Sequence, residues 1–244
     1  MRLFGLIGFP LGHSFSKKYF TRKFEEQHIA DCRYELFPLP GITDLPALLA
    51  SHPSLEGLNI TIPYKKSVLA YLDASCLPEG LNACNCIKIR QGQLIGYNTD
   101  VLGFEKSLVP LLHIGHQQAL VLGNGGAAES ILFVLKKRGI TFEVVSRQLH
   151  QGSTITYADL TPAIVRSHTL IINTTPLGTY PNTADCPDIP YEGITPAHLL
   201  YDLVYNPSQT LFLQKGMQRG ARIKNGEEML VIQAEESWNF WNQD

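Results

Sequence analysis

The chain has 244 residues, a net charge of −2, 17% charged and 44% hydrophobic side chains, an ordinary globular composition sufficient for one large domain or two small ones. The near-neutral balance leaves no broad basic field for nucleic acid, and no run approaches the ~18 apolar residues of a membrane helix. Neither nucleic acid nor a membrane is expected as a partner.

From the N-terminus, an apolar stretch broken by Gly5, Gly8 and Pro10 carries no small-residue cleavage site. It reads as a strand over Leu3–Gly8 and not as a signal peptide. Gly12-His13-Ser14-Phe15-Ser16 then leads into a helix predicted over Ser16–His28. Two hydroxyls two positions apart near a helix N-terminus suit a carboxylate ligand, and either also suits the plainer task of capping the helix. His13 is expected to be structural. A strand over Tyr34–Pro38 and a helix over Asp44–Ala50 follow.

Leu58, Ile60 and Ile62 alternate as a half-buried strand over Gly57–Ile62, which puts Asn59 and Thr61 on its other face. Pro63 has no N–H for the ladder and ends the strand. Lys65 comes at the turn, in a helix predicted over Tyr64–Tyr71. Three polar groups thus meet at one strand end, an arrangement suited to a polyol site with one proton-transfer group. Asn85–Arg90, Gln91-Gly-Gln93 and Leu94–Tyr97 read as a β-hairpin. Asp100, at the end of Asn98-Thr-Asp100, is expected to cap a helix running to about Leu112. A carboxylate there, close to Lys65, would keep a lysine oriented and charged or share its proton.

A new unit begins with the buried strand Gln118–Gly123, the turn Gly123-Asn-Gly-Gly-Ala-Ala128 and a helix over Ala128–Lys137. This strand–turn–helix context matches a dinucleotide fingerprint. The first glycine allows the tight turn, the second lets backbone approach a pyrophosphate, and Ala128 fills the third small position. The phosphates would meet the free N–H groups of the helix N-terminus. The next strand, Thr141–Val145, is followed by Ser146-Arg147-Gln148. An arginine there accommodates the 2′-phosphate of NADP, whereas NAD needs an acid. Residues 146–168 are short for a full crossover, so one helix is expected to be missing or replaced by a loop. Strands over Thr169–Asn173 and Leu199–Leu203 and a helix over Glu227–Trp241 complete the pattern. Alternating strands and helices imply a parallel sheet.

The five cysteines, Cys32, Cys76, Cys84, Cys86 and Cys186, include no C-x-x-C pair. Cys84 and Cys86 would share one strand face, poor geometry for zinc. Buried, reduced cysteines in a cytoplasmic protein without a metal are expected.

Taken together, Gly8-Phe-Pro-Leu-Gly-His-Ser-Phe-Ser16, Asn59-Ile-Thr-Ile-Pro-Tyr-Lys65, Asn82-Ala-Cys-Asn85, Asn98-Thr-Asp100, Gly123-Asn-Gly-Gly-Ala127, Asn173-Thr-Thr-Pro-Leu-Gly178, Tyr201-Asp-Leu-Val-Tyr205 and Met229-Leu-Val-Ile-Gln233 resemble the shikimate dehydrogenase family, in its order. The resemblance implies an α/β protein of two domains with a cleft between them. A substrate-binding and catalytic domain would span 1–101, completed by a C-terminal helix at 226–244, and a Rossmann-type NADP domain would span 102–225. It implies reversible NADPH-dependent reduction of 3-dehydroshikimate to shikimate, on the route to chorismate and aromatic amino acids. Lys65 would be the acid–base group, assisted by Asp100. Ser14 and Ser16 would hold the substrate carboxylate. Thr61, Asn85, Asp100 and Gln233 would hold its hydroxyls, with Asn59 and Tyr205 nearby. Gly123, Asn124, Gly125, Gly126 and Ala127 would line the pyrophosphate of NADP(H), Ser146 and Arg147 its 2′-phosphate, and Asn173, Thr174, Leu203 and Gly226 its nicotinamide half. The expected assembly is a monomer or a homodimer. Two readings stay beside this one: a quinate/shikimate dehydrogenase using NAD or NADP, and a non-catalytic sensor of the same metabolites. Retention of both Lys65 and Asp100 speaks against a sensor, which needs binding but no proton transfer. The family usually has Gly-Leu-Gly-Met where this chain has Gly226-Glu-Glu-Met229, and a second basic residue soon after Arg147.

Overall fold

In β1 (Arg2–Gly8) Leu3 and Ile7 join one buried cluster and Phe4 and Leu6 another. The two-residue period of a strand explains the split, and burial on both faces marks a central strand. The computed structural model describes residues 1–12, 14–149 and 152–243; His13 lies outside them, as does the last residue of the predicted C-terminal helix. The described chain separates into two compact units, Met1–Gly103 with Leu230–Asp244, and Phe104–Met229.

The first unit is built on a six-stranded sheet in the order β2-β1-β3-β5-β6-β4. β2 (Cys32–Pro38) and β3 (Leu55–Ile60) flank β1 in parallel; β5 (Cys86–Arg90) runs antiparallel to β3, and β6 (Gln93–Tyr97) antiparallel to β5. The short β4 (Ala74–Ser75) edges the sheet. Gln91 and Gly92, both at positive φ, form the two-residue hairpin turn between β5 and β6. Helices α1 (Phe15–Glu26) and α2 (Leu45–Ser51) lie close to their predicted spans.

Four expectations need correction here. β3 ends at Ile60, and Ile62 is 65% exposed while Leu58 and Ile60 are buried. The apolar alternation continues past the last residue that has a pairing partner, so it overstates the strand. In place of an α-helix over Tyr64–Tyr71, a short 3-10 helix covers Ser67–Tyr71. Cys84 and Cys86 do not share a face: Cys84 precedes β5 and packs with Leu58 and Ile60, whereas Cys86 packs with Phe4 and Trp241. All five cysteines are free, and Cys76 is exposed and Cys186 only half-buried, against the expectation of uniform burial.

The C-terminal helix α7 (Glu227–Asn242) covers the aromatic side of this sheet. Trp241 stacks on Phe4 with centroids 4.8 Å apart and donates its indole N–H to the Ile87 carbonyl at 2.9 Å. A side chain at Gly57 would come within 2.5 Å of the Trp241 ring, so glycine there makes the seat for the indole.

The second unit carries a six-stranded all-parallel sheet in the order β12-β11-β10-β7-β8-β9. Its strands are β7 (Gln118–Leu122), β8 (Thr141–Ser146), β9 (Ile155–Thr156), β10 (Leu170–Asn173), β11 (Leu199–Asp202) and β12 (Arg222–Lys224). This is the doubly wound dinucleotide-binding order, and its direction reverses between β7 and β10. Helix α3 (Thr99–Leu108) enters the unit, α4 (Ala128–Lys137) follows β7, and the six-residue α5 (Pro162–Ser167) follows β9. Among the described residues no helix joins β8 to β9, in line with the missing crossover helix. The sequence patterns did not mark α6 (Leu211–Gln218) or the strand β12, whose three residues are too few to show a period. Among the described residues, no helix is long and apolar enough to cross a membrane and no group of three or more His, Cys, Asp or Glu is placed to hold a metal ion.

Candidate active site

In the first unit the turn after β3 and the start of α3 bring Lys65 and Asp100 together. Lys65 Nζ lies 2.6 Å from Asp100 Oδ2, with the two side chains 14% and 11% exposed. The helix cap that sequence assigned to Asp100 belongs to Asn98, whose Oδ1 accepts from the Val101 N–H at 3.1 Å. Asp100 sits in the first turn, which frees its carboxylate for the lysine. The Lys65 carbonyl accepts from the Cys84 N–H at 2.8 Å, tying the turn to the segment before β5. Burial pushes the Cys84 thiol up to about 11, which keeps it a neutral neighbour of the pair.

Around this pair the polar side chains form one buried network. Tyr34 donates to Asn59 Oδ1 at 2.8 Å, and Asn59 Nδ2 donates to Ser237 Oγ at 2.9 Å and to the Asn85 carbonyl at 3.4 Å. Ser237 donates to the Gln233 carbonyl at 2.8 Å and lies 3.2 Å from the Thr99 hydroxyl. Asn85 Oδ1 accepts the Thr99 N–H at 2.7 Å, while its Nδ2 donates to Thr99 Oγ1 at 3.0 Å. Thr99 Oγ1 also reaches Gln233 Oε1 at 3.4 Å. The Asn59 side chain is therefore hydrogen-bonded within the protein at both its oxygen and its nitrogen. Ser14 caps α1, its Oγ accepting from the Lys17 N–H at 3.2 Å, which leaves its own proton free to donate. Burial pushes the ionisation of the Tyr34 hydroxyl well up, and the neighbouring Ser16 side chain opposes that rise. Thr61 pairs through its backbone with Ile7, and a side chain on Gly8 would come within 2.4 Å of the Thr61 methyl.

Sequence reasoning missed Tyr34 and Ser237 and quoted Thr99 only as part of a motif. Ser237 stands four residues after Gln233 on α7, a helical spacing that puts both on one face; that was the available signal. Tyr205, proposed with the substrate residues, follows β11 in the second unit, and burial raises its hydroxyl.

In the second unit a cavity of about 770 Å³ opens at the carboxyl ends of β7, β8 and β10. Gly123, Asn124, Gly125 and Thr174 line one part, and Ser146, Arg147, Gln148 and Tyr157 another. Gly123 takes φ +103, and a side chain there would meet Thr175 at 2.8 Å. Cβ atoms on Gly125 and Gly126 would meet nothing within 4 Å, so protein packing does not require glycine there. Close approach of a ligand backbone would require it, which fits a pyrophosphate cradle. Ala127 sits at the N-cap of α4, and Ala128 behind it is buried. Ser146 donates to the Gln148 carbonyl at 2.6 Å and closes the turn that presents Arg147.

The remaining candidates are mostly committed inside the unit. Asn173 donates to Asp202 Oδ1 at 2.9 Å and accepts from the Thr175 hydroxyl at 2.6 Å. Thr174 donates to the Leu122 carbonyl at 2.9 Å. A Cβ on Gly226 would come within 2.2 Å of the Leu203 carbonyl oxygen, so these two backbones pass at a distance that only glycine allows. Asp202, quoted from the sequence only within the Tyr201–Tyr205 motif, is fully buried, and burial raises its carboxyl to about 6.

The family model described as the shikimate dehydrogenase substrate binding domain matches residues 6–87. A shikimate dehydrogenase (NADP(+)) of Methanococcus maripaludis is 35% identical over 98% of the chain and 91% of its own length. One of Clostridium beijerinckii is 37% identical over 100% of the chain and 93% of its own length. The crystal structure of Thermus thermophilus shikimate 5-dehydrogenase in complex with NADP(H) and shikimate superposes with a TM-score of 0.86. It is 28% identical and covers 99% of the chain and 94% of its own.

Proposed function

The chain belongs to the shikimate dehydrogenase family of NADP-dependent oxidoreductases, and from that membership we propose that it reduces 3-dehydroshikimate to shikimate, reversibly, on the route to chorismate and the aromatic amino acids. The observation that carries the mechanism is the buried ion pair of Lys65 and Asp100 at 2.6 Å. When bound, NADPH supplies the hydride. Lys65 stabilises the negative charge that develops on the ketone oxygen and gives that oxygen a proton; in the reverse direction it takes the hydroxyl proton. Asp100 holds Nζ in place and offers its second carboxylate oxygen to a neighbouring hydroxyl. Ser14 and Ser16 receive the substrate carboxylate, and Thr61, Asn85 and Gln233 its ring hydroxyls. Tyr205 completes the substrate contacts.

The glycine cradle of Gly123, Asn124, Gly125, Gly126 and Ala127 takes the pyrophosphate at the N-terminus of α4, and Arg147, presented by Ser146, takes the 2′-phosphate. Thr174, Leu203 and Gly226 border the nicotinamide half, with Asn173 holding the turn beside them. In this reading 1–101 with 226–244 binds substrate and 102–225 binds the dinucleotide. Five unpaired cysteines suit a reducing cytoplasm, where the enzyme works as a monomer or a homodimer.

The test is absorbance at the nicotinamide band with shikimate and with quinate, each offered NADP and NAD. Turnover of shikimate with NADP is expected. Inert shikimate alongside active quinate with NAD would transfer the chain to the quinate reading, and shikimate binding without turnover would make it a sensor.

A further inference from the structure

Among the described residues only two buried side-chain polar atoms have no hydrogen-bond partner, and one of them is the hydroxyl of Tyr157. Native proteins rarely leave such a group unmatched, so an orphan beside a cavity asks for a ligand. Tyr157 lines the cavity assigned above to the dinucleotide, as does Arg147. The register explains why. β8 and β9 run parallel with Val145 opposite Ile155 and Ser146 opposite Thr156. Arg147 and Tyr157 each come directly after these last paired residues, Tyr157 opening a 3-10 helix over Tyr157–Asp159. Neighbouring strands lie ~4.8 Å apart, so both residues leave the carboxyl edge of the sheet close together, and the Arg147 charge acts on the Tyr157 hydroxyl.

That edge is where a doubly wound sheet meets the adenosine ribose. A phosphate monoester there carries close to two negative charges and three acceptor oxygens, more than one guanidinium can satisfy. Arg147 is the one cationic side chain among the described residues lining the cavity. Ser146 spends its proton on the Gln148 carbonyl. Tyr157 keeps its proton at neutral pH, because burial raises the hydroxyl to about 12, and it has no other acceptor.

We propose that Tyr157 is a cofactor-specificity residue whose hydroxyl donates a hydrogen bond to the 2′-phosphate of NADP beside Arg147. The inference rests on the NADP reading of this cavity. It accounts for how a chain with a single arginine at this edge favours the phosphorylated dinucleotide.

The test measures dissociation constants of NADP+, NAD+ and adenosine 2′,5′-bisphosphate by titration calorimetry on the full chain, wild type and Tyr157→Phe, with melting temperatures of both. Tyr157→Phe is expected to weaken NADP+ and the bisphosphate roughly tenfold, the worth of one hydrogen bond to a charged acceptor. NAD+ affinity should change less than about twofold. Melting temperature without ligand should hold or rise, since removing an unsatisfied buried hydroxyl relieves a cost. Equal losses for NADP+ and NAD+, no loss for either, or a lower melting temperature would overturn the proposal and make Tyr157 a packing residue. Wild-type protein that binds NADP+ no tighter than NAD+ would bring down the NADP reading itself. If wild type prefers NADP+ and Tyr157→Phe keeps that preference in full, the NADP reading stands and the proposal alone fails.

Discussion

The two candidate sites are built on opposite plans. Around Lys65 and Asp100, side chains find partners within the protein: Asn59 is satisfied by Tyr34 and Ser237, Asn85 by Thr99, and Lys65 and Asp100 by each other. The dinucleotide cavity presents glycines facing open space, an exposed arginine and an orphan hydroxyl. The chemistry explains the difference. A ring carrying several hydroxyls is recognised by donors and acceptors at fixed positions, and a network that holds each amide in one orientation removes the reorganisation otherwise needed at the transition state. A pyrophosphate is recognised chiefly by charge and by backbone N–H groups, which need space more than orientation.

The sharpest way to break this contrast is at the lysine. Lys65→Ala should lower kcat by roughly 10²–10⁴ with a modest change in the KM for shikimate. A large KM effect with kcat preserved would reassign Lys65 from proton transfer to binding. On the dinucleotide side, Arg147→Ala should weaken NADP by about 10–100-fold, the loss of charge-assisted hydrogen bonds to phosphate, while leaving NAD nearly unchanged. Equal losses in a binding titration would remove its phosphate role and make the second site as structural as the first.

Ser237→Ala tests whether the first site depends on its internal pairing. The substitution leaves Asn59 Nδ2 and Thr99 short of a partner, a cost of about 1–3 kcal/mol, seen as a fall of several degrees in Tm. Because Asn85 and Gln233 share the network, the KM for shikimate should rise several-fold with the KM for NADP unchanged. A fall in Tm with both KM values unchanged would confine Ser237 to packing.

The smallest expected effect on turnover lies in the buried Asp202, where stability is the readout. Its carboxyl is raised by burial to about 6, against an unfolded value of ~3.9. The folded state then binds its proton more tightly, so this contribution is full below pH ~4 and is lost as pH rises through about 6. Wild-type stability should decline over that window relative to Asp202→Asn, measured by chemical denaturation at each pH. Parallel curves for the two proteins would mean that the three donors on this carboxylate, from Asn173, Val204 and Thr210, fully offset its burial.

Much of this was legible in the chain because it is local. The glycine turn after β7, the hairpin at Gln91-Gly92 and the alternation along β1 are each fixed by residues within one or two turns of one another. The residues proposed to carry the chemistry, Lys65, Asp100 and Arg147, could be singled out for the same reason. Where local pattern outran pairing it misled: Ile62 continues an apolar alternation that the sheet does not use, and Asp100 looks like a cap although Asn98 takes that task. What the tertiary structure alone decided is which distant groups meet. Asn59 and Ser237 are 178 residues apart, and they touch because α7 returns to the first sheet and Gly57 seats Trp241. Tyr157 and Arg147 come to line one cavity because β8 and β9 pair up to Ser146 and Thr156, a pairing to which no motif in residues 147–157 points. Periodicity and turn chemistry are written in short windows of sequence, whereas strand register and helix docking are settled by the packing of the whole unit.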